Sequence, residues 1–144
     1  MNSNSSYDDH LGHSVKQLYH LMGQRFNEVL RPSGVARSQW YILYFISRSA
    51  KLTQKELQAI LGVESATLTV AINALVRKGW VVRCQSSQDH RVKELQFTPE
   101  GKKLWEGLPD PILAIQAQML KGIRSEEAEL ARSILEKAIH NLEQ

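Results

Sequence analysis

The stretch LTQKELQAILGVESATLTVAINALVRKG, residues 52–79, decides the fold because it encodes two helices joined by a short turn. Thr53 followed by Glu56 is the capping-box pattern, in which each side chain accepts a hydrogen bond from the other residue's backbone N–H. Gly62 and Gly79 stand where helices commonly end on a glycine. The stretch therefore predicts two consecutive helices whose ends are defined by their own residues.

The residue pattern changes after Gly79. Residues 80–84 begin with aromatic and β-branched side chains, residues 85–90 are polar, and residues 92–97 largely alternate between apolar and polar, which predicts a β-hairpin with an exposed tip. Thr98-Pro99-Glu100 then has the pattern of a helix start. Helix, short turn, helix, hairpin and helix is the order of a winged helix-turn-helix. We therefore expect a mainly α fold with a small β-hairpin wing.

Apolar residues on both sides of this segment repeat every three or four positions, as they do in amphipathic helices. They predict four further helices: residues 11–30, 38–50, 99–122 with a kink at Pro109 and Pro111, and 125–142. The expected buried positions of the two central helices are Leu57, Ile60 and Leu61 in the first, and Leu68, Ala71, Ile72 and Leu75 in the second.

Composition excludes several classes of protein. The 144 residues, 42% of them apolar and 23% charged, are typical of a globular protein of one domain or slightly more. Cys84 is the only cysteine, which excludes an internal disulfide and a cysteine-rich zinc site, and we expect it to be a small buried side chain. The sequence has no glycine-rich phosphate loop and no nucleophile elbow. We expect a protein that is not an enzyme and needs no cofactor.

The distribution of charge and hydropathy bears on partners and location. The net charge is only +3, but residues 77–103 contain seven lysines and arginines against three acidic residues. Such a basic segment favours nucleic acid as a partner. Residues 1–6 are polar, and no apolar run approaches the roughly 18 residues of a membrane span. We therefore expect neither a signal peptide nor a membrane partner, and a cytoplasmic location.

A winged helix-turn-helix places its second helix in the major groove of DNA. Once the buried face of that helix is subtracted, the outward residues expected to meet base edges are Ser65, Thr67, Thr69, Val70 and Asn73. Val70 offers apolar contact, for example to a thymine methyl group. The expected phosphate contacts are Arg77, Arg83 and Lys93. An ordinary surface helix with serine and threonine near its start is the alternative interpretation.

The predicted wing tip contains the sequence Asp89-His90-Arg91. Asp89 can hold the guanidinium of Arg91 in one orientation, which lowers the entropy cost of placing that arginine in the minor groove. Arginine is drawn there by the negative potential of a narrow groove. The alternative is a solvated hairpin with a surface ion pair that contributes little to stability.

Several segments, in order, resemble the MarR family of bacterial regulators. They are residues 36–43 (ARSQWYIL), 52–57 (LTQKEL), 78–83 (KGWVVR), 89–91 (DHR) and 95–101 (LQFTPEG). The resemblance spans roughly Leu11 to Leu104, and the wing motif with the glycine-ended helix before it is its most specific part. Leu11-Gly12 and residues 121–127 (KGIRSEE) look most like the SlyA branch.

The resemblance implies a homodimer that binds a palindromic operator in double-stranded DNA. Residues 8–34 and 108–144 would form a helical dimerisation region, and residues 35–107 the DNA-binding lobe. Family members often repress transcription, and many release DNA when a small aromatic or phenolic anion binds. The sequence favours a dimer independently, because its terminal helices carry more apolar surface than one small lobe can cover.

Two positions depart from the family pattern. The recognition helix has Val70 where the family often carries an arginine, and the wing has His90 where the common motif is Asp-Arg-Arg. A histidine carries a positive charge only at acidic pH. We therefore expect weaker phosphate binding, or a stronger reliance on Arg91, Lys93 and the shape of the operator.

An effector pocket, if one exists, is expected where the first and second helices meet the lobe. Its candidate residues combine aromatic rings with polar or cationic groups that suit an aromatic acid: His13, Val15, Tyr19, Arg37, Trp40, Tyr41 and Tyr44. Trp40 and Tyr44 are equally consistent with a plain core role. A metal site made of Asp8, Asp9, His10, His13 and His20 is disfavoured because it lacks convergent ligands.

Two other functions remain open at this point. The winged lobe would be a protein-interaction module if its DNA contacts were vestigial, as the absence of the recognition-helix arginine allows. A small-molecule carrier without DNA binding is the third interpretation. Salt dependence distinguishes DNA binding from protein interaction, because releasing counterions from phosphates makes affinity fall steeply with salt. A carrier would instead bind its ligand tightly and bind no DNA.

Overall fold

The computed structural model describes residues 10–144. Within them it contains seven α-helices, one short 3-10 turn at Arg31–Ser33 and one antiparallel sheet of three strands. The elements in chain order are α1 (Leu11–Leu30), α2 (Arg37–Arg48), β1 (Leu52–Thr53), α3 (Gln54–Leu61), α4 (Ser65–Arg77), β2 (Val81–Gln85), β3 (Lys93–Phe97), α5 (Pro99–Gly107), α6 (Pro111–Met119) and α7 (Ser125–Leu142).

The predicted helix-turn-helix is confirmed. Helices α3 and α4 follow each other with a bend of 119° between them, in the range of a helix-turn-helix. The capping box forms as expected, because Glu56 N–H donates to Thr53 Oγ1 (3.1 Å) and Thr53 N–H donates to Glu56 Oε2 (3.0 Å). Gly62 ends α3 in the left-handed region at φ +62°, which explains why a glycine stands there.

The hairpin is confirmed, and a third strand joins it. Strands β2 and β3 are antiparallel, with Val81 opposite Phe97 and Gln85 opposite Lys93. Strand β1 pairs with the other edge of β3, with Leu52 opposite Leu95, so the strand order is β1-β3-β2. The two-residue β1 was not predicted because it is too short to show alternation. It ties the start of α3 to the wing.

The chain divides into two compact units, and the unit Phe26–Pro109 contains the helix-turn-helix and the wing. Its core is built mainly from the end of α1, from α2, α3 and α4, and from the three strands. Side chains that are at most 2% exposed include Leu30, Trp40, Leu43, Leu57, Leu68, Ile72, Leu75, Val81 and Leu95.

One expected core position is wrong, and two others, Leu61 and Ala71, are only half-buried. Ile60 is 53% exposed, whereas Leu57 on the same helix is fully buried. Helix α3 has only eight residues and packs mainly on β1 and β3, so it buries a narrower face than its apolar pattern predicts.

The backbone at Gly79 and Trp80 packs directly against the start of α5, where the chain leaves the wing. The Thr98 side chain accepts a hydrogen bond from Gly101 N–H (2.9 Å) and donates to the carbonyl of Gly79. Thr98 N–H also donates to the carbonyl of Trp80 (3.1 Å). A Cβ atom at Gly101 would lie 1.8 Å from that Trp80 oxygen, so only glycine fits at this position.

The expected single helix over residues 99–122 is wrong, because two helices, α5 and α6, occupy this region. Pro109 disfavours a helical backbone at the residue before it, and Leu108 is accordingly extended (φ −73°, ψ 139°). Asp110 then caps α6 by accepting hydrogen bonds from Ile112 N–H and Leu113 N–H, and Pro111 occupies the first helical position. The two prolines therefore end one helix and begin another, and do not kink a single helix.

The second unit consists of Met1–Arg25 and Asp110–Gln144, described from residue 10 onward. It contains the first part of α1 together with α6 and α7. Many of its large apolar side chains are exposed: Leu11, Val15, Leu18, Tyr19, Leu21, Met22, Ile112, Leu113, Ile123, Leu130, Ile134, Leu135, Ile139 and Leu142. We call this set the apolar face of the helical unit.

Within residues 10–144, no single helix combines the length and the apolar composition of a membrane span. Among these residues, only the bent pair α3 and α4 reaches that length and that apolar composition, and it does so only when the two helices are counted together.

Candidate nucleic-acid interface

Helix α4 buries one face and leaves the residues predicted to read DNA exposed or half-buried. Leu68, Ile72 and Leu75 are at most 2% exposed and fix the helix on the lobe. Val70, by contrast, is 68% exposed. Three of the remaining predicted contacts on this helix, Ser65, Thr67 and Arg77, are exposed, whereas Thr69 and Asn73 are half-buried.

Thr69 is held by a residue that the sequence analysis did not single out. Gln54, the first residue of α3, donates from Nε2 to Thr69 Oγ1 over 2.9 Å. The hydroxyl of Thr69 therefore has one lone pair occupied and keeps its own hydrogen as a donor. This bond links the two helices of the motif across the turn.

Asn73 is held in a similar way from the wing. Arg83 on β2 donates from Nη2 to Asn73 Oδ1 over 2.8 Å. Both residues were predicted as separate DNA contacts, and both are half-buried. The structure joins them, so the base of the wing and the recognition helix share one hydrogen bond.

The wing tip presents Arg91 in the braced form that its spacing predicts. Its guanidinium donates from Nε to Asp89 Oδ1 and from Nη2 to Asp89 Oδ2, each over 3.1 Å. The backbone N–H of Arg91 donates to the same Oδ1 over 3.0 Å. The Arg91 side chain is 90% exposed. Hydrogen bonds from the Arg91 side chain, and then from its backbone, lower the pKa of Asp89 below its usual 3.8.

The turn that carries Arg91 is closed by short hydrogen bonds. Ser86 N–H donates to the carbonyl of Val92 (2.9 Å), and Val92 N–H donates to the carbonyl of Asp89 (3.0 Å). Gln85 Nε2 reaches the carbonyl of His90 over 2.7 Å. The tip is therefore an ordered turn, with His90 and Lys93 exposed on either side of Arg91.

Cys84 is not the buried side chain that we expected. It is half-buried on β2, and its Sγ lies 3.5 Å from Gln96 Oε1 on the neighbouring strand. The wing is a hairpin with one face toward the lobe and the other near solvent, which explains why the Cys84 side chain is only half-buried.

Lys78 stabilises the C-terminal end of the recognition helix, a role that sequence patterns do not reveal. Its Nζ donates to the carbonyl of Gly34 (2.8 Å) and to Gln39 Oε1 (3.2 Å), and lies 4.7 Å from the centre of the Trp80 ring. Gln39 is 8% exposed and also accepts a hydrogen bond from Ala36 N–H (3.0 Å).

The predicted effector residues fall in both units. In the unit Phe26–Pro109, Trp40 is 2% exposed and its ring lies 5.3 Å from the rings of both Tyr41 and Tyr44. The Arg37 guanidinium lies 5.4 Å from the centre of the Phe26 ring. The other candidates, His13, Val15 and Tyr19, belong to the helical unit, where His13 is half-buried and the other two are exposed. An effector pocket made of these residues stays a prediction.

Two surface cavities contain none of these candidates. One, of about 420 Å³, is lined by Ser33, Glu100, Lys103, Leu104, Gly107 and Leu108. The other, of about 310 Å³ in the helical unit, is lined by Leu18, Leu21, Met22, Arg25, Ile115, Gln118 and Met119. Among residues 10–144, no group of three or more His, Cys, Asp or Glu side chains lies close enough together to hold a metal ion. Asp8 and Asp9 lie outside the described residues.

Comparisons with known proteins agree with this geometry. A sequence model of the MarR family matches residues 33–92. The uncharacterized HTH-type transcriptional regulator YwoH of Bacillus subtilis (strain 168) is 36% identical over 120 residues, which is 83% of this chain and 87% of YwoH.

Solved structures show the same fold. A cysteine mutant of MarR from E. coli complexed with operator DNA is 26% identical, with a TM-score of 0.78 over 89% of this chain and 92% of that one. The S. aureus MepR–DNA complex is 22% identical, with a TM-score of 0.81 over 95% and 99% of the two chains. At that identity, MepR supports the fold alone.

Proposed function

The chain belongs to the MarR family of transcriptional regulators, and from that membership we propose that it acts as a cytoplasmic homodimer that binds a palindromic operator and represses transcription. Helix α4 reads the major groove through Ser65, Thr67, Thr69, Val70 and Asn73, and Arg91 enters the minor groove. Arg77 and Lys93 hold phosphates.

One observation carries this proposal: an ordered, exposed arginine stands on the same lobe as an exposed recognition helix. Arg91 is held by Asp89 through both carboxylate oxygens, so it loses little conformational entropy when it enters a groove. The hydrogen bond from Arg83 to Asn73 joins the wing to α4. The solved MarR structure bound to operator DNA has this fold at 26% identity, which supports the same use here.

The apolar face of the helical unit supports the homodimer. Leu113 on α6 is 68% exposed, and Leu130 and Ile139 on α7 are 61% and 56% exposed. So many exposed large apolar side chains in one small unit are rare on a monomer, because water disfavours them. A second copy of the same chain supplies a matching surface, as the two-fold symmetry of a palindromic operator requires.

The residues of the recognition helix favour DNA recognition that depends less on charge and more on apolar contact and operator shape. Val70 is an exposed apolar side chain at a central outward position, where it suits a thymine methyl group. Among the predicted wing contacts, Arg91 and Lys93 are the permanent cations near the tip. The salt dependence of operator binding is therefore expected to be shallow for this family.

A titration against duplex DNA tests the proposed function. The wild-type chain is first used to select operators from random-sequence duplexes, and its affinity for a selected duplex and a random one is then measured at 50 mM and 200 mM salt. We expect selective binding that weakens as salt rises. Failure to bind any duplex at low salt, with a folded chain, contradicts the proposal and favours a protein-interaction module.

Release of DNA by a small aromatic anion is the finer part of the proposal. Tyr41 and Tyr44, which are half-buried beside the buried Trp40 ring, support it, because aromatic side chains with polar tips suit an aromatic acid. We expect 4-hydroxybenzoate to lower operator affinity, and benzyl alcohol, which lacks the carboxylate, to have no effect. Tight binding of the acid by a chain that binds no DNA would instead support a small-molecule carrier.

A further inference from the structure

The hydrogen bond between Arg83 and Asn73 determines which atoms of Asn73 can face DNA. Arg83 Nη2 lies 2.8 Å from Asn73 Oδ1. A guanidinium carries donors only, so the group that it meets must be the oxygen of the amide and not its nitrogen. The orientation of the amide is thereby fixed by the chemistry of its partner, and the NH₂ group lies on the opposite branch.

We propose that Arg83 is a positioning residue that makes Asn73 a donor-only reader of the major groove. In this state Asn73 selects a base edge whose acceptor has no donor beside it, which is guanine N7 and O6 or thymine O4. Adenine is disfavoured because its acceptor N7 lies next to the N6 amino donor. The inference rests on the proposed DNA-binding function and adds to it the chemical class of the base that one named side chain recognises.

The same contact disfavours the usual use of asparagine. Bidentate recognition of adenine needs the amide oxygen to accept from N6 while the amide nitrogen donates to N7. The second lone pair of Asn73 Oδ1 does not restore this mode, because a base amino group there would meet the Arg83 guanidinium, donor against donor. Asn73 therefore discriminates against adenine, which an unrestrained asparagine would prefer.

The position of Arg83 argues for this role over a phosphate contact. Arg83 lies on β2 inside the paired part of the hairpin, opposite Leu95, and is half-buried. Arg91 at the tip is 90% exposed. A side chain that is half-buried and already bonded is better suited to orient a neighbour than to reach across solvent to a phosphate.

The test is a four-base scan of a selected operator with variants at both positions. Wild type is expected to show one position where guanine or thymine is preferred over adenine by about fivefold to tenfold. Asn73→Ala is expected to abolish the preference at that position only. Asn73→Asp keeps a strong partner for Arg83 but presents an acceptor outward, so its preference is expected to move to a base with an amino group, cytosine or adenine.

Two further variants separate positioning from structure. Arg83→Met releases the amide of Asn73, so adenine is expected to become acceptable at the same position. Gln54→Ala is the matched control, because it removes the comparable bond to Thr69 and is expected to leave the preference at this position unchanged. Thermal melting of each variant checks that the lobe remains folded.

The outcomes distinguish this inference from the proposed function. If selection with wild type enriches no sequence, the proposed function fails. If a sequence is enriched but Asn73→Asp leaves every base preference as in wild type, the inference fails and the proposed function stands. Uniform weakening by Arg83→Met at all positions, with no change in base preference, also overturns the inference and assigns Arg83 to a phosphate.

Discussion

Asp89 binds Arg91 through three hydrogen bonds, two from the guanidinium and one from the backbone N–H. The backbone bond fixes the turn from which the side chain projects. An arginine held in this way reaches a groove with its conformation already set.

Arg91→Ala removes the group proposed to enter the minor groove. We expect its affinity for the selected operator to fall about 5-fold to 150-fold, because one specific groove contact is lost. Fluorescence anisotropy at matched salt measures this. Arg91→Lys serves as the control, since it keeps the charge but lacks the planar fork, and it is expected to recover only part of the affinity. Unchanged affinity of the alanine variant would exclude this role.

The pH dependence of the brace follows from the lowered pKa of Asp89. A carboxyl group whose pKa is lower in the folded state than in the unfolded state stabilises the folded state at pH values above its unfolded-state pKa. This contribution is lost as the pH falls through the folded-state pKa. The brace is therefore expected to persist down to below pH 3.8. An NMR titration of the Asp89 carboxyl carbon measures the midpoint.

Arg91→Ala is expected to raise the titration midpoint of Asp89 toward 3.8, because the hydrogen bonds from the Arg91 side chain are the main cause of the lowered pKa. Glu127 supplies an internal control, since hydrogen bonds from Arg124, which precedes α7, lower its pKa. A shift of both carboxyl groups together would point to a global change in the fold.

Gly101→Ala tests the contact between the wing and α5. The added Cβ would lie 1.8 Å from the Trp80 carbonyl oxygen, and a backbone atom cannot move aside cheaply. We expect a loss of about 1–3 kcal/mol or more in the free energy of unfolding. Gly107→Ala is the matched control in the same helix, because nothing lies within 4 Å of its Cβ position. Urea denaturation that ranks the two variants equally would contradict this packing.

Ile139→Asp tests the apolar face of the helical unit. Ile139 is 56% exposed, and a dimer that buries it twice loses both apolar contacts and gains two buried charges. We expect the dimer dissociation constant to rise by about 100-fold or more, measured by sedimentation equilibrium. Lys137→Asp introduces the same side chain two residues away, on another side of α7, with a charge change of two units instead of one, and is expected to leave the dimer intact. Equal dimerisation of both variants would place the interface elsewhere.

Local signals explain which parts of the fold could be predicted from the sequence. The capping box at Thr53 and the glycines at 62 and 79 define helix ends by chemistry that acts within a few residues, so the helix-turn-helix was predictable. Strand β1 was not, because two residues carry no periodicity and the strand forms only by pairing with Leu95 forty-three positions later. Ile60 shows the same limit, since its exposure depends on how much of α3 the sheet covers.

The candidate site could likewise be predicted only where its contacts are local in sequence. Spacing alone indicated that Asp89 could brace Arg91, because the two residues lie in one short turn. The bonds from Arg83 to Asn73 and from Gln54 to Thr69 join different elements. No single-sequence pattern reports which residues of a helix a neighbouring strand or helix will reach. The residue types of the interface could therefore be predicted, but not their partners.

The contacts of Lys78 have a consequence for how the lobe responds to imperfect operators. One ammonium group bonds the segment before α2 through Gly34, the buried amide of Gln39 and the Trp80 ring at the root of the wing. Any roll of the recognition helix about its own axis would strain all three attachments at once. On the proposed palindromic operator, half-sites with altered spacing are then expected to be accommodated by the connections outside the lobe, while the angle between the recognition helix and the wing stays constant.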